Sequence, residues 1–283
     1  MSTKKFANFF TKSPGDPANK EKIFKKSVDI ISKSAIINNV KGRYKKMTYY
    51  MTIDTETTNS FDDALVYDLG LAIHDENGEV FHTESYVIAE IFCNDELMKV
   101  AYFAEKIPTY WKEIKEGKRV LTTFRNARNE VLSLMKRYDI KAVIAHNAYF
   151  DYNALNTTLR YLTQSRKRFF FPWGSVMWDS LRMAKTTLGK DKKYTSWCIE
   201  NNYLTEKYRK PKMTAEVLYR YLTNNHAFIE EHTGLADVMI EKEITAYFLK
   251  RNHASMKKCL FNPRKEEDEK TMLEWWTNSL LCE

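Results

Sequence analysis

Three runs of β-branched and aromatic residues, at 49–54, 67–72 and 80–87, restrict this chain more than any other feature. Each reads as a strand. The second and third are joined through Asp75, Glu76, Asn77 and Gly78, and Asn-Gly between two strand-like runs is a strong hairpin signal. The three strands are therefore expected to form an antiparallel meander, the first stopping at the carboxylate of Asp54. Farther along, apolar residues recur at helical spacing over 91–105, in a piece after Pro108, and over 121–138. A short buried strand at 142–145 leads into a helix over 149–162, and 175–178 reads as a fifth strand. The remainder is mainly helical, with runs near 195–202, 214–222, 227–231 and 235–249. A meander followed by strands alternating with helices predicts an α/β fold: a five-stranded mixed sheet flanked by helices.

The chain divides by composition into a basic arm (1–46), a main domain (47–255) and a tail (256–283). The arm carries 12 basic and 3 acidic residues, a charge of +9 against +8 for the whole chain, so everything after it sums to about −1. Such a charge suits a polyanionic partner and equally suits solubility. Residues 23–37 can form a helix, and the tail's Leu273, Trp275, Trp276, Leu280 and Leu281 fit either a docking helix or closure of the protein's own core. No run approaches the roughly 18 apolar residues of a membrane span, and the N-terminus lacks a secretory signal's apolar run. No membrane association and a cytoplasmic location are expected. Cys93, Cys198, Cys259 and Cys282 lie far apart, with neither a CxxC pair nor histidines at zinc-finger spacing, and read as reduced thiols.

Three segments carry candidate chemistry. Asp54-Thr55-Glu56-Thr57-Thr58 puts two carboxylates at i and i+2, on one face of a strand, where a cation or a proton must offset their repulsion. Such a pair also arises by chance. In His146-Asn147-Ala148-Tyr149-Phe150-Asp151 an apolar strand ends and Asp151 falls in the first turn of a helix, with Asn147 as a plain N-cap in the simplest reading. In His232-Thr233-Gly234-Leu235-Ala236-Asp237, Thr233 suits a helix cap and Asp237 again lands near a helix start, with His232 just before it. Oxygen ligands without thiolate, beside one histidine, favour Mg²⁺ or Mn²⁺ over zinc.

Together and in this order, the segments resemble the motifs of the DEDD 3′–5′ exonuclease superfamily, in the histidine (DEDDh) branch that includes proofreading exonuclease subunits and the ribonuclease T and oligoribonuclease types. Asp54 and Glu56 match the first motif, Asp151 the second, and His232 and Asp237, five positions apart, the third. The resemblance spans roughly residues 46–250 and implies a ribonuclease H-like fold. It implies that Asp54, Glu56, Asp151 and Asp237 hold two Mg²⁺, with Mn²⁺ able to substitute, and that His232 is the general base. Thr55, Thr57, Thr58, Asn147, Tyr149 and Phe150 would contact the substrate, with Phe150 expected to be buried. Asp179 is expected to be structural, Asn59 stands where many members have glycine, and Gly234 and Val238 replace alanines common around the third motif. The implied reaction is metal-dependent hydrolysis at the 3′ end of single-stranded DNA, releasing nucleoside 5′-monophosphates, in replication, repair or proofreading of a bacterium or virus. The same motifs leave open an exoribonuclease acting on RNA, or a nucleic-acid-binding module working with a polymerase partner or as a homodimer. An inactive structural relative is disfavoured, because all five positions are filled.

Overall fold

The computed structural model describes residues 47–58, 64–165 and 168–251, and the backbone of 260–261. The arm and, apart from 260–261, the tail, with their suggested helices, lie outside the described residues, as does Asn59. Among the described residues, seven strands form one sheet in the order β4-β3-β2-β1-β5-β6-β7. They are β1 (Tyr50–Thr57), β2 (Val66–His74), β3 (Val80–Ile88), β4 (Val120–Thr122), β5 (Ala142–Ala145), β6 (Met177–Asp179) and β7 (Leu260–Phe261).

The meander forms as the pattern requires: β1 pairs antiparallel with β2, and β2 with β3. β5 then lies parallel to β1, and β6 parallel to β5. These five expected strands give the ribonuclease H-like arrangement. The sequence reading missed only the short edge strands, β4 parallel to β3 and β7 antiparallel to β6. β1 does not stop at Asp54 but continues through Glu56 to Thr57, so both carboxylates project from paired strand.

The helices are α1 (Ala89–Phe92), α2 (Asp95–Met98), α3 (Ile107–Lys115), α4 (Phe124–Arg137), α5 (Ala148–Thr163), α6 (Ser180–Thr187), α7 (Lys192–Glu200), α8 (Ala215–Thr223) and α9 (Gly234–Arg251). The single helix expected over 91–105 is instead two short helices and a 3₁₀ turn at Ala104–Lys106. Asn94 breaks it by accepting hydrogen bonds from Glu96 N and Leu97 N, which starts a new helix there. The segment expected at 121–138 yields its first residues to β4, and Thr123 caps the helix that follows. Residues 227–231 are not helical. α6 is capped by Asp179, which accepts from Leu181 N and Arg182 N.

Strand alternation sends the two faces of β1 into different cores. Met51 and Ile53 join Leu69, Leu71, Val143 and Leu155 beneath α4 and α5, whereas Tyr50 joins Ile144, Ile240, Ile244 and Phe248 beneath α9. Asp54 and Glu56 share the parity of Tyr50, so the sheet presents them to the face that α9 covers. α9 crosses β1 and β2 at close range. A Cβ on Gly70 would lie 2.1 Å from the Gly234 carbonyl carbon, and one on Gly234 would lie 2.7 Å from Gly70 N. This contact gives a packing reason for glycine at 234, where alanine would force backbone apart.

Candidate active site

α9 lands where it does because of a buried polar network around Asp68. This residue pairs in register with Glu56 and is wholly buried. Its Oδ2 accepts from the Tyr110 hydroxyl at 2.6 Å, Arg119 Nη1 at 2.8 Å and Gly234 N at 3.0 Å. The last bond satisfies an amide at the start of α9, where carboxylates are also favoured by the helix dipole. Arg119 also donates to Glu113 from Nε, so its buried charge is matched on two sides. Thr233 contributes through its backbone, Asp237 N donating to Thr233 O at 3.0 Å.

With the first turn of α9 seated on the sheet, Asp237 comes against the strand acids. One carboxylate oxygen each of Asp54, Glu56 and Asp237 lies within 4.8 Å of the others. Asp151, in the first turn of α5, joins from the side, its Oδ1 accepting from the Thr55 hydroxyl at 2.9 Å. One atom each of Glu230, His232 and Asp237 makes an overlapping group at the same spacing. The structure thus brings together all four sequence-predicted acids and His232.

Burial sets the protonation of this cluster, and mutual repulsion reinforces it. Glu56 is pushed up to about 8, by burial first and then by the charges of Asp237 and Asp68. Asp237 is pushed up to about 8 by burial and Glu230, and Asp151 to about 7 by burial, against the relief given by the Thr55 hydroxyl. Burial and the charges of Glu241, Asp151, Asp237 and Glu56 hold Asp54 well above the carboxylate range. Asp237 Oδ1 is buried without a hydrogen-bond partner. Oxygen donors crowded within 4.8 Å, held against their own repulsion and including an orphaned buried oxygen, fit a divalent cation.

His232 sits in a left-handed conformation with φ 50°, in the turn before α9. The ring stacks on Phe103, with centroids 4.6 Å apart and planes 10° apart. Lys106 donates to the carbonyls of Glu231 and His232, the latter at 3.0 Å, which ties down the turn carrying the imidazole. Burial and the Lys106 charge lower the pKa of His232, so the ring is neutral near pH 7.

Sequence reasoning missed Glu241, Glu230, Lys106, Phe103 and Asp68. Glu241 was within reach: it stands one helical turn after Asp237, so the two share a face of α9. It is buried, accepts from His146 N at 3.2 Å, and is held well above the carboxylate range by burial and by Asp151 and Asp237. The other four are joined to the site only by tertiary structure.

The expected substrate contacts are disposed differently from one another. Thr55 engages Asp151, Thr57 is buried, and Thr58 N donates to Leu65 O at 3.0 Å. Tyr149 is exposed; Phe150 is half-buried against the core, not fully buried as expected. Asn147 occupies the N-cap position of α5, but with φ 66° its side chain caps nothing, correcting the simple capping reading. Its backbone N donates instead to Asp179 Oδ1 at 3.1 Å, giving that residue the structural role expected of it.

No family model matches the chain, and no curated protein matches it in sequence. Among solved structures it is similar to a 3′-exonuclease solved for 3′-end specific recognition of a histone mRNA stem-loop, at 13% identity and TM-score 0.49, covering 94% of this chain and 88% of that one. It is similar to exonuclease I in its apo form at 14% identity and TM-score 0.46, covering 72% of this chain and 42% of that one. S. pombe Pop2p in its Mg²⁺- and Mn²⁺-bound form is similar at 14% identity and TM-score 0.42, covering 75% of this chain and 87% of that one. At these identities the likeness concerns the fold alone.

Proposed function

We propose that the chain is a metal-dependent 3′–5′ exonuclease of the DEDD type, histidine branch, which hydrolyses the terminal phosphodiester of single-stranded DNA and releases nucleoside 5′-monophosphates. The observation that carries this reading is the convergence of Asp54, Glu56, Asp151 and Asp237, from three separate elements, with a neutral histidine beside them. Residues 47–255 form the catalytic domain in this reading, flanked by the arm and the tail.

Asp54, Glu56, Asp151 and Asp237 would hold two Mg²⁺, or Mn²⁺. When bound, such ions supply Lewis acidity toward a phosphodiester and acidify water. The protein's own contribution begins with His232. Its neutral imidazole would take the proton of the attacking water, with Glu230 Oε2 3.9 Å from Nδ1. Phe103 and Lys106 keep that ring in place. The Thr55 hydroxyl orients Asp151, and Glu241 packs behind the cluster against the turn at His146. Tyr149, exposed in the same first turn of α5 as Asp151, is suited to stack on a terminal base.

The test uses two 5′-labelled single strands, one DNA and one RNA, with Mg²⁺ or EDTA and the wild-type or Asp54→Ala protein. A Mg²⁺-dependent ladder shortening from the 3′ end, absent in the variant, is expected, with DNA cut faster than RNA. Intact strands in every lane from folded protein would refute the exonuclease, and faster RNA cleavage would overturn the sugar assignment alone.

A further inference from the structure

A cavity of about 1030 Å³ opens beside the carboxylate cluster and is lined by groups of both signs. Glu230 and Glu241 line it together with Lys185, Lys210, Lys212 and Tyr208. Part of its wall is a short hairpin. Leu204 and Pro211 form an antiparallel bridge, Thr205 N donates to Lys210 O at 2.8 Å, and Arg209 turns the tip with φ 49°. The root of this hairpin is fixed. The Tyr194 hydroxyl donates to Lys212 O, and His146 Nε2 donates to Met213 O at 2.7 Å, the other ring nitrogen facing the Ser180 hydroxyl at 2.8 Å. The basic wall is thereby held against the same β5–α5 turn that delivers Asp151.

Among the described residues, Lys185, Lys210 and Lys212 have no ion-pair partner. Three unmatched ammonium groups around one concavity repel each other, and an anion spanning them relieves that repulsion. Tyr208 is 66% exposed, with Lys207 Nζ at 5.2 Å and Lys210 Nζ at 5.7 Å from its ring centroid. An exposed aromatic face set among cations is a platform for an unstacked base, and only a single strand offers base faces freely.

We propose that the hairpin at 204–211, with the C-terminal turn of α6, is a strand-tracking wall. The nucleotides upstream of the scissile bond run through this cavity, their phosphates on Lys185, Lys210 and Lys212 and a base on Tyr208. This inference rests on the exonuclease reading and assigns the path of its substrate. A protein anion or a mononucleotide fits less well: the first gives Tyr208 no base to stack on, and the second brings one phosphate to a cavity lined by three lysines.

The experiment measures binding of a long DNA single strand at several KCl concentrations with Ca²⁺ replacing Mg²⁺, and kcat/KM for that strand and for the p-nitrophenyl ester of thymidine 5′-monophosphate, which has no upstream phosphate. For single strands log K falls with log salt by about 0.7 per phosphate contact, so Lys185→Ala/Lys210→Ala/Lys212→Ala is expected to flatten the slope by about 2. Tyr208→Ala is expected to weaken strand binding by about 10-fold, and Tyr208→Phe to restore it. Both alanine variants should lower the ratio of kcat/KM for the strand to that for the ester, whereas Lys136→Ala, on the exposed surface of α4, should change neither slope nor ratio. An unchanged slope and ratio in an enzyme that still degrades the strand would overturn the proposed path and leave the exonuclease standing. Were wild-type protein to cut neither substrate, the exonuclease reading would fall, and the salt slope alone would decide whether this wall binds nucleic acid.

Discussion

Replacing Asp68 with alanine tests whether the buried network under α9 organises the acidic site. Asp68 is wholly buried and is the common acceptor for Tyr110, Arg119 and Gly234 N. Its loss leaves Arg119, itself buried, with Glu113 as its remaining carboxylate, and strands three further donors, Tyr110, Gly234 N and Ser85 Oγ. Breaking a buried pair by removing one partner costs 3–5 kcal/mol, and each buried donor left unpaired costs 1–3, though these terms overlap. Because Glu113 retains part of the guanidinium charge, Asp68→Ala is expected to cost about 4 kcal/mol, not the sum of these values. Arg119→Met in the same chain removes the unpaired charge, so the double variant should recover about 2 kcal/mol relative to the additive expectation. Urea unfolding in EDTA, followed by tryptophan fluorescence, measures both. The exposed pair Lys99–Glu96, at the similar distance of 2.7 Å, is the control: Lys99→Ala should cost less than about 0.5 kcal/mol, because burial and not separation sets the energy. A cost below about 1 kcal/mol for Asp68→Ala, or strict additivity in the double variant, would refute this account of how α9 is held.

Three further outcomes follow from the site. His232→Ala should slow strand cleavage by about 100-fold or more while Mg²⁺ still raises Tm as in wild type; Asp54→Ala should abolish that Tm rise, and equal turnover of both variants would remove the assigned roles. In EDTA the folded site keeps protons on Glu56 and Asp237 up to about pH 8 and on Asp151 up to about pH 7, whereas the unfolded chain releases them near pH 4. The unfolded state therefore binds fewer protons over that interval, so the stripped protein should lose stability as pH rises from about 4 to 8, with Mg²⁺ restoring it; a Tm in EDTA that climbs over this range would contradict the sign. Glu241→Gln removes a buried ionisable carboxyl beside Asp237 and Asp151, so it should weaken Mg²⁺ binding by calorimetry, and unchanged Mg²⁺ affinity would mean that Glu241 does not sense the ion.

What could be read from the chain was whatever local periodicity encodes. The period-2 runs and the Asn-Gly turn yielded the meander, and the order of the three acidic segments yielded the cluster. Misreadings arose where a residue acts through its own backbone neighbourhood or through distant partners. Apolar spacing over 91–105 is helical on average, but Asn94 competes for the amides of Glu96 and Leu97 and divides it. Residues 227–231 look helical in pattern, yet the chain there is irregular and leads into the left-handed turn at His232, fastened by Lys106 from another element. No spacing rule joins Lys106 to Glu231, 125 positions away, or Asp68 to Gly234, 166 away.

The distant contacts nonetheless have a local cause. Gly70 stands opposite Asp54 in the β1–β2 register, so the sheet lacks a side chain at the point where α9 must come down. Gly234 removes the matching side chain from the helix, and the two backbones meet with no room for a Cβ on either. At that separation the first turn of the helix can lower Asp237 onto Asp54 and Glu56, while Asp68, two residues before Gly70, reaches the free amide of Gly234. The carboxylates are thus forced together by a contact between groups that bear no charge. Their repulsion is borne by that packing and by the Asp68–Arg119 network until a cation relieves it. A substitution that widened the glycine contact would relax the cluster without touching a single acidic residue, which is why the two glycines belong to the site as much as its carboxylates do.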